Sequence, residues 1–216
     1  MFLSKTVSLY KKCKKAESNF VISFMKHFAY RILYSKNFIL HHKVSVKGIT
    51  NIETNDRLDI GMSYIGFMHK THRTYLNIQG KLKLNGPYSI GRGCRFDIAE
   101  KAVMSIGKGG YINVNSTFII MHGLTIGDYC VISWDCQFLD EDFHDIDYEG
   151  KTITPNEITI GNNVWIGCGV KIYKGSVVPD GCVIAANSIV RGVFTKQNTL
   201  IAGHPAKVIK EEINWK

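Results

Sequence analysis

Between residues 160 and 190 a branched aliphatic side chain returns at every sixth position: Ile160, Ile166, Ile172, Val178, Ile184 and Val190. A period of six belongs neither to an α-helix nor to a β-strand. It marks a repeat architecture, in which each turn of chain buries its apolar face only by stacking on the next. Gly161, Gly167, Pro179 and Ala185 directly follow four of these rungs, which suits corners where the backbone bends sharply. A small or β-branched residue comes four positions after most rungs: Val164, Val170, Ser176, Cys182 and Ser188. Upstream, rungs occur at Ile90, Phe96 and Ala102, slip in phase, resume at Ile106, Ile112 and Phe118, and slip again to Ile126, Ile132 and Phe138. The slips mark loops or bulges between coils.

Charge divides the chain. Residues 1–43 carry nine Lys/Arg against Glu17 alone, a balance of +8; the remaining 18 basic and 17 acidic residues nearly cancel. Phe20, Phe24, Phe28 and Ile32, with Val21, Met25, Ala29 and Leu33, form an i, i+4 stripe, so 1–43 reads as a basic amphipathic helical extension. Two roles stay open for it: a helix packed over the exposed edge of the first coil, with Phe24 and Phe28 covering that coil, or a contact with an anionic membrane surface. Lys26, His27, Tyr30 and Arg31 fall outside the stripe. No nucleic-acid readout motif is present. Residues 44–216 form the second unit, opening with strand-like alternation at Val44–Lys47, Tyr75–Ile78 and Lys81–Leu84.

No CxxC pair occurs among the six cysteines. Cys94, Cys130, Cys136 and Cys182 fall four residues after rungs, which makes them buried, reduced packing residues and implies a reducing cytoplasm. There is no pattern of a signal peptide and no apolar run long enough to span a bilayer. From Phe138 to Ile160 is 22 residues, four more than a coil of about eighteen. The extra length falls in an acidic insertion, 139–158, with Asp140, Glu141, Asp142, Asp145, Asp147 and Glu149 around one histidine, His144. Insertions in solenoids emerge on one face and often carry function.

The runs Ile160-Gly-Asn-Asn-Val-Trp-Ile-Gly-Cys-Gly-Val, Ala185-Ala-Asn-Ser-Ile-Val and Ala202-Gly-His-Pro-Ala-Lys-Val-Ile-Lys resemble the hexapeptide-repeat acyltransferases, nearest to the maltose/galactoside O-acetyltransferases and polysaccharide-modifying relatives. The resemblance is tight over 124–210, looser over 84–123 and absent before about residue 45. It implies a mainly β fold, a left-handed parallel β-helix, here with an N-terminal helical extension and a short basic C-terminal segment. It further implies a homotrimer that transfers acetyl from acetyl-CoA to a sugar or glycan hydroxyl, with no metal. His144 falls within a residue of the family's catalytic histidine. An alcohol must lose its proton as it attacks a thioester, and imidazole is matched to that task near neutral pH. Asp142 and Asp145 flank it as carboxylates able to orient the ring.

Asp135 aligns with a family residue that contacts the acceptor; a turn residue at a corner is the other reading. Trp165 matches a tryptophan beside the acyl donor, or else is a core or interface aromatic. The resemblance sets the backbone N–H of Cys168 at the thioester oxyanion, where such a donor is worth a few kcal/mol, and counts Gly167 among the residues that bind the donor. Ala185 and Ala186 would let the pantetheine arm lie close, and Arg191, Lys207 and Lys210 would meet the nucleotide phosphates. A zinc-dependent relative on this fold needs three histidines with a closely spaced pair; His122 and His144 are 22 apart with no second histidine near either. Xenobiotic, serine and amino-sugar acceptors, and a non-catalytic scaffold, remain alternatives.

Overall fold

The computed structural model describes residues 2–63, 66–147, 149–150 and 155–215. The six-residue period folds as a left-handed parallel β-helix with three faces. Face I stacks Phe38–Leu40, Leu58–Ile60, Tyr88–Ile90, Tyr111–Ile112, Val131–Ile132, Trp165–Ile166, Val183–Ile184 and Leu200–Gly203, and the antiparallel strand Ala206–Lys210 closes it. Face II stacks Val44–Lys47, Thr74–Ile78, Arg95–Ile98, Thr117–Ile120, Gln137–Leu139, Lys171–Tyr173 and Ile189–Val190. Face III stacks Ile52–Glu53, Lys81–Leu84, Val103–Ile106, Gly123–Ile126, Ile158–Ile160 and Val177–Val178.

Each rung of the sequence ladder takes the inward position of one strand. Ile160 and Val178 pair on face III, Ile166 and Ile184 on face I, and Ile172 and Val190 on face II. All six are essentially fully buried. On face II the inward column becomes aromatic, with Phe96, Phe118 and Phe138 stacked at centroid separations of 4.5 and 4.6 Å. Such stacked pairs add to plain area burial. The small-residue slots hold Cys94, Cys130, Cys136 and Cys182, all buried with free thiols. Burial pushes the Cys94 and Cys136 thiols up to about 12 and Cys130 to about 11. The corner between faces I and II is kept by left-handed residues, among them Asn115, Asp135, Gly169 and Asn187. At Gly169 (φ 68°) a Cβ would lie 2.2 Å from Asn187 Oδ1, so a larger residue there requires the Asn187 side chain to move.

The phase slips are long coils. Ile90 pairs with Ile112 and Ile112 with Ile132, spacings of 22 and 20 residues. The acidic insertion is larger than the ladder count indicates: Phe138 pairs with Ile172, 34 residues on, because Ile160 belongs to a different face. The coil is thus about sixteen residues longer than the nominal eighteen. Residues 148 and 151–154 of the insertion lie outside the described residues. A second long connection leaves face I after Ile60 and brings Phe67 edge-on to Trp134, ring centroids 5.4 Å apart, at the corner between faces I and II.

The N-terminal extension is a pair of helices, α1 (Phe2–Lys15) and α2 (Phe20–Tyr34). Helix stops at Tyr34, short of residue 43, and Phe38–Leu40 is already the first strand of the coil stack. Leu9 and Cys13 of α1, with Ala16 just beyond it, pack with Met62, Phe20, Phe24 and Ile39 outside face I. The orientation of α2 departs from the amphipathic expectation: Phe20 and Phe24 pack inward, but Val21, Met25, Phe28, Ile32 and Leu33 are exposed. Its polar side faces the coil: Ser23 is buried, Lys26 Nζ donates to Val44 O (2.6 Å) and His42 O (2.9 Å), and His27 Nδ1 donates to Phe38 O (2.7 Å). Tyr30 packs against Phe38. Just beyond the helix, Lys36 Nζ donates to Ile52 O (2.8 Å). Phe38, Val44 and Ile52 lie in the first strands of faces I, II and III, where one edge has no neighbouring strand. Three basic side chains therefore satisfy edge carbonyls on all three faces. Phe28, assigned by the sequence pattern to covering that coil, is exposed instead.

Candidate active site

The acidic insertion leaves the corner between faces II and III, and its root is fixed by a buried carboxylate. Along Gln137–Leu139 side chains alternate outward and inward, and the next inward position is Asp140, which is fully buried. Its Oδ1 accepts from Met121 N (2.7 Å) and its Oδ2 from His122 N (2.9 Å) and Gly123 N (2.8 Å). Three backbone N–H groups at the turn between Thr117–Ile120 and Gly123–Ile126 are thereby satisfied by one side chain.

Two further contacts hold the next residues. Glu141 Oε2 lies 2.7 Å from His122 Nε2, while Oε1 accepts from Asp142 N (2.8 Å) and Phe143 N (3.2 Å). The His122 contact, then the two N–H groups, hold the Glu141 carboxyl below its usual range. Asn156, at the return of the insertion, places Nδ2 2.9 Å from His122 Nε2. Asp142 Oδ2 pairs with Lys174 Nζ at 2.8 Å. Two residues beyond this anchor, His144 is exposed. Asp145 is likewise exposed beside it. Glu141, His122 and Lys174 are the clamp residues that sequence reasoning left out of the site; the readable signal was Asp140, a carboxylate where strand alternation calls for an inward side chain.

The residues expected to face an acyl donor gather elsewhere. Trp165 points outward from face I, 42% exposed, with Nε1 donating to Ser133 Oγ (3.2 Å) and its ring 6.1 Å from that of Trp215. It is therefore a surface aromatic and no part of the core. Gly167 and Cys168 follow at the corner between faces I and II. The N–H of Gly167 goes to Ile184 O (2.8 Å) and that of Gly169 to Trp134 O (3.0 Å). Among the described residues, the Cys168 N–H between them donates to no protein acceptor. Ala185 and Ala186 occupy the same corner one coil on, with Ala186 exposed. Asp135 sits at this corner too, in the left-handed conformation (φ 59°). The turn reading is thus correct for its backbone, while its side chain lines a shallow groove of about 640 Å³ on face II with Tyr75, Arg95, Gln137 and Lys171.

Lys207 and Lys210 are exposed on the closing strand of face I. Arg191 is not with them: it follows Ile189–Val190 on face II, its guanidinium 4.7 Å over the Tyr173 ring. The width of face II separates the His144 loop from Cys168, Ala185 and Ala186 within one chain.

Residues 157–192 match the family model "Bacterial transferase hexapeptide (six repeats)". The chain is 37% identical over 206 residues to an uncharacterized 24.8 kDa protein in the cps region of Klebsiella pneumoniae, covering 94% of this chain and 92% of that protein. It is 27% identical over 148 residues to a putative lipopolysaccharide biosynthesis O-acetyl transferase, WbbJ, of Escherichia coli K12, covering 63% of this chain and 75% of the relative. Among solved structures, that of the polysialic acid O-acetyltransferase OatWY is similar in fold, with a TM-score of 0.56, 22% identity and 83% and 84% of the two chains covered. With the three-faced coil and the six-residue ladder, these matches define a class: the chain belongs to the hexapeptide-repeat transferases.

Proposed function

We propose that this chain is an O-acetyltransferase that moves the acetyl group of acetyl-CoA onto a hydroxyl of a glycan destined for the cell surface. In this reading it acts in the cytoplasm as a homotrimer and touches the inner face of an anionic membrane through 1–43. The observation that carries the reading is the pairing of an exposed histidine on a pinned acidic loop with an unclaimed N–H at Cys168 on a strip of small residues.

The chemistry divides between those two places. His144 takes the proton of the acceptor hydroxyl as its oxygen bonds to the acyl carbon. The Cys168 N–H donates to the carbonyl oxygen as negative charge develops there. The sulfur leaves as thiolate, and the proton on His144 is returned to it or to solvent. Ala186 and Ala185 leave room for an extended thioester arm, and Lys207 and Lys210 supply positive charge for phosphates. Asp135, one coil from Cys168, offers its carboxylate to acceptor hydroxyls. Because His144 and Cys168 lie on different corners, the working site joins the loop of one subunit to Cys168 of the partner subunit.

The test is thiol release from acetyl-CoA with free sugars, nucleotide sugars and oligosaccharides offered as acceptors. Acceptor-dependent release with an ester in the product is the expected result. Coenzyme A binding without turnover on any acceptor would convert the reading to a non-catalytic scaffold, and an amide in the product would convert it to N-acetylation.

A further inference from the structure

A helix on a protein surface normally turns its apolar stripe inward and its polar side to water. Helix α2 does so only at Phe20 and Phe24. Ser23, Lys26, His27 and Tyr30 face the first coil, and Lys26 and His27 are committed to its edge carbonyls. The stripe Val21, Met25, Phe28 and Ile32, spaced 4, 3 and 4 residues apart, therefore points away from the coil at 52–65% exposure. Leu33 beside it is 70% exposed. This orientation is not loose docking. Besides the edge contacts, His42 N donates to Ser18 Oγ (2.9 Å), Asn19 N to His42 Nδ1 (3.1 Å), and Lys12 pairs with Asp59. The coil thus holds out a rigid apolar ridge.

Charge decides what covers that ridge. Lys12, Lys26 and Lys36 are engaged by the coil, but Lys11, Lys14, Lys15 and Arg31 are exposed in the same pair of helices. Glu17 is the single acidic residue of 1–43. Packing this surface against a second copy of itself would bring like charges together, which disfavours self-association through it. An anionic lipid surface answers both properties, since its headgroups attract the cations while its acyl boundary accepts the ridge.

We infer that the outward face of α2 is a docking surface for an anionic bilayer, entered side by side by Val21, Met25, Phe28 and Ile32, with the helix in the membrane plane. The inference rests on the membrane contact proposed above for 1–43 and adds the face, the orientation and the inserting residues. It requires no spanning segment, and no helix among the described residues is long and apolar enough to cross a membrane.

The experiment is co-sedimentation of the full-length protein with phosphatidylcholine vesicles, with and without roughly a third phosphatidylglycerol. Binding is expected only with the anionic lipid and should weaken with salt. The double variant Met25→Asp/Ile32→Asp, which alters exposed positions alone, should bind at least about tenfold more weakly with its light-scattering mass unchanged. A Phe28→Trp reporter should shift its emission to the blue on binding. Binding lost in Lys11→Glu/Lys14→Glu/Lys15→Glu yet intact in the double variant, with no shift of the reporter, would keep an electrostatic membrane contact and overturn the insertion. No vesicle binding by the wild type would overturn both. A fall in oligomer mass in the double variant would assign the ridge to a second copy.

Discussion

Asp140 accepts the backbone N–H of His122 at 2.9 Å across 18 residues of chain, and the same carboxylate takes the N–H groups of Met121 and Gly123. One side chain therefore ties the departure of the acidic loop to the turn of the preceding coil. Asp140→Ala would leave three inward N–H groups without an acceptor, each costing about 1–3 kcal/mol. Chemical denaturation should show a loss of several kcal/mol, with Asp140→Asn intermediate because its amide oxygen still accepts.

Glu141 tests the clamp without touching the core. Its Oε1 takes two N–H groups of the loop and its Oε2 meets His122. Glu141→Ala should lower kcat by about ten- to a hundredfold, the scale of a misplaced reacting group, with little change in KM for acetyl-CoA. Glu141→Gln should recover most of that loss, since its amide oxygen still accepts from the loop. Equal kcat in all three proteins would show that the clamp does not position the loop.

Acid should loosen the seam between the N-terminal helices and the coil. Burial, then His42 and Arg92, lower the pKa of His41 from 6.5 to about 3. The unfolded chain binds this proton first as pH falls, so the folded state loses stability between about pH 6.5 and pH 3. Melting temperature should fall over that window, and less steeply in His41→Gln.

Alkali acts through the thiols of Cys94, Cys130 and Cys136. Their folded pKa values lie at about 11 to 12, above an unfolded value of 9.0, so the folded state holds protons that the unfolded chain releases. The stability is present below about pH 9 and is lost as pH rises towards 12. In the native protein at neutral pH, the half-buried Cys168 should react with a thiol reagent well before Cys94, Cys130 and Cys136. Mass mapping of the labelled peptides reads the order.

Much of this fold was legible because a solenoid repeats its constraint. Every rung from Ile160 to Val190 meets the same environment, so the period survives local noise. The corner role of Asp135 and the buried cysteines followed from the same register. The side of α2 that faces the coil was not legible. Periodicity shows that a helix has two faces but not which one a neighbour needs, and here the neighbour is a row of carbonyls at Phe38, His42 and Val44 that calls for donors. The clamp on His122 was hidden for a similar reason, since Glu141 and His122 are joined by the coil register and not by spacing in the chain.

The shared-site arrangement predicts a light-scattering mass of three times the 24.4 kDa chain. A monodisperse monomer that turns over acetyl-CoA would contradict it, because the His144 loop and Cys168 are held on separate corners of one chain.

His144 as the base is tested by the pH–rate profile of wild type and His144→Ala on the same acceptor. The loop is pinned by Asp140, Glu141 and Asp142, so the variant should keep its fold and its KM for acetyl-CoA within a few-fold. Its kcat should fall by about 10²–10⁴, and the rising limb of the wild-type profile should vanish. A variant that keeps more than about a tenth of wild-type kcat, with the limb intact, would contradict the claim and make His122 the next residue to replace.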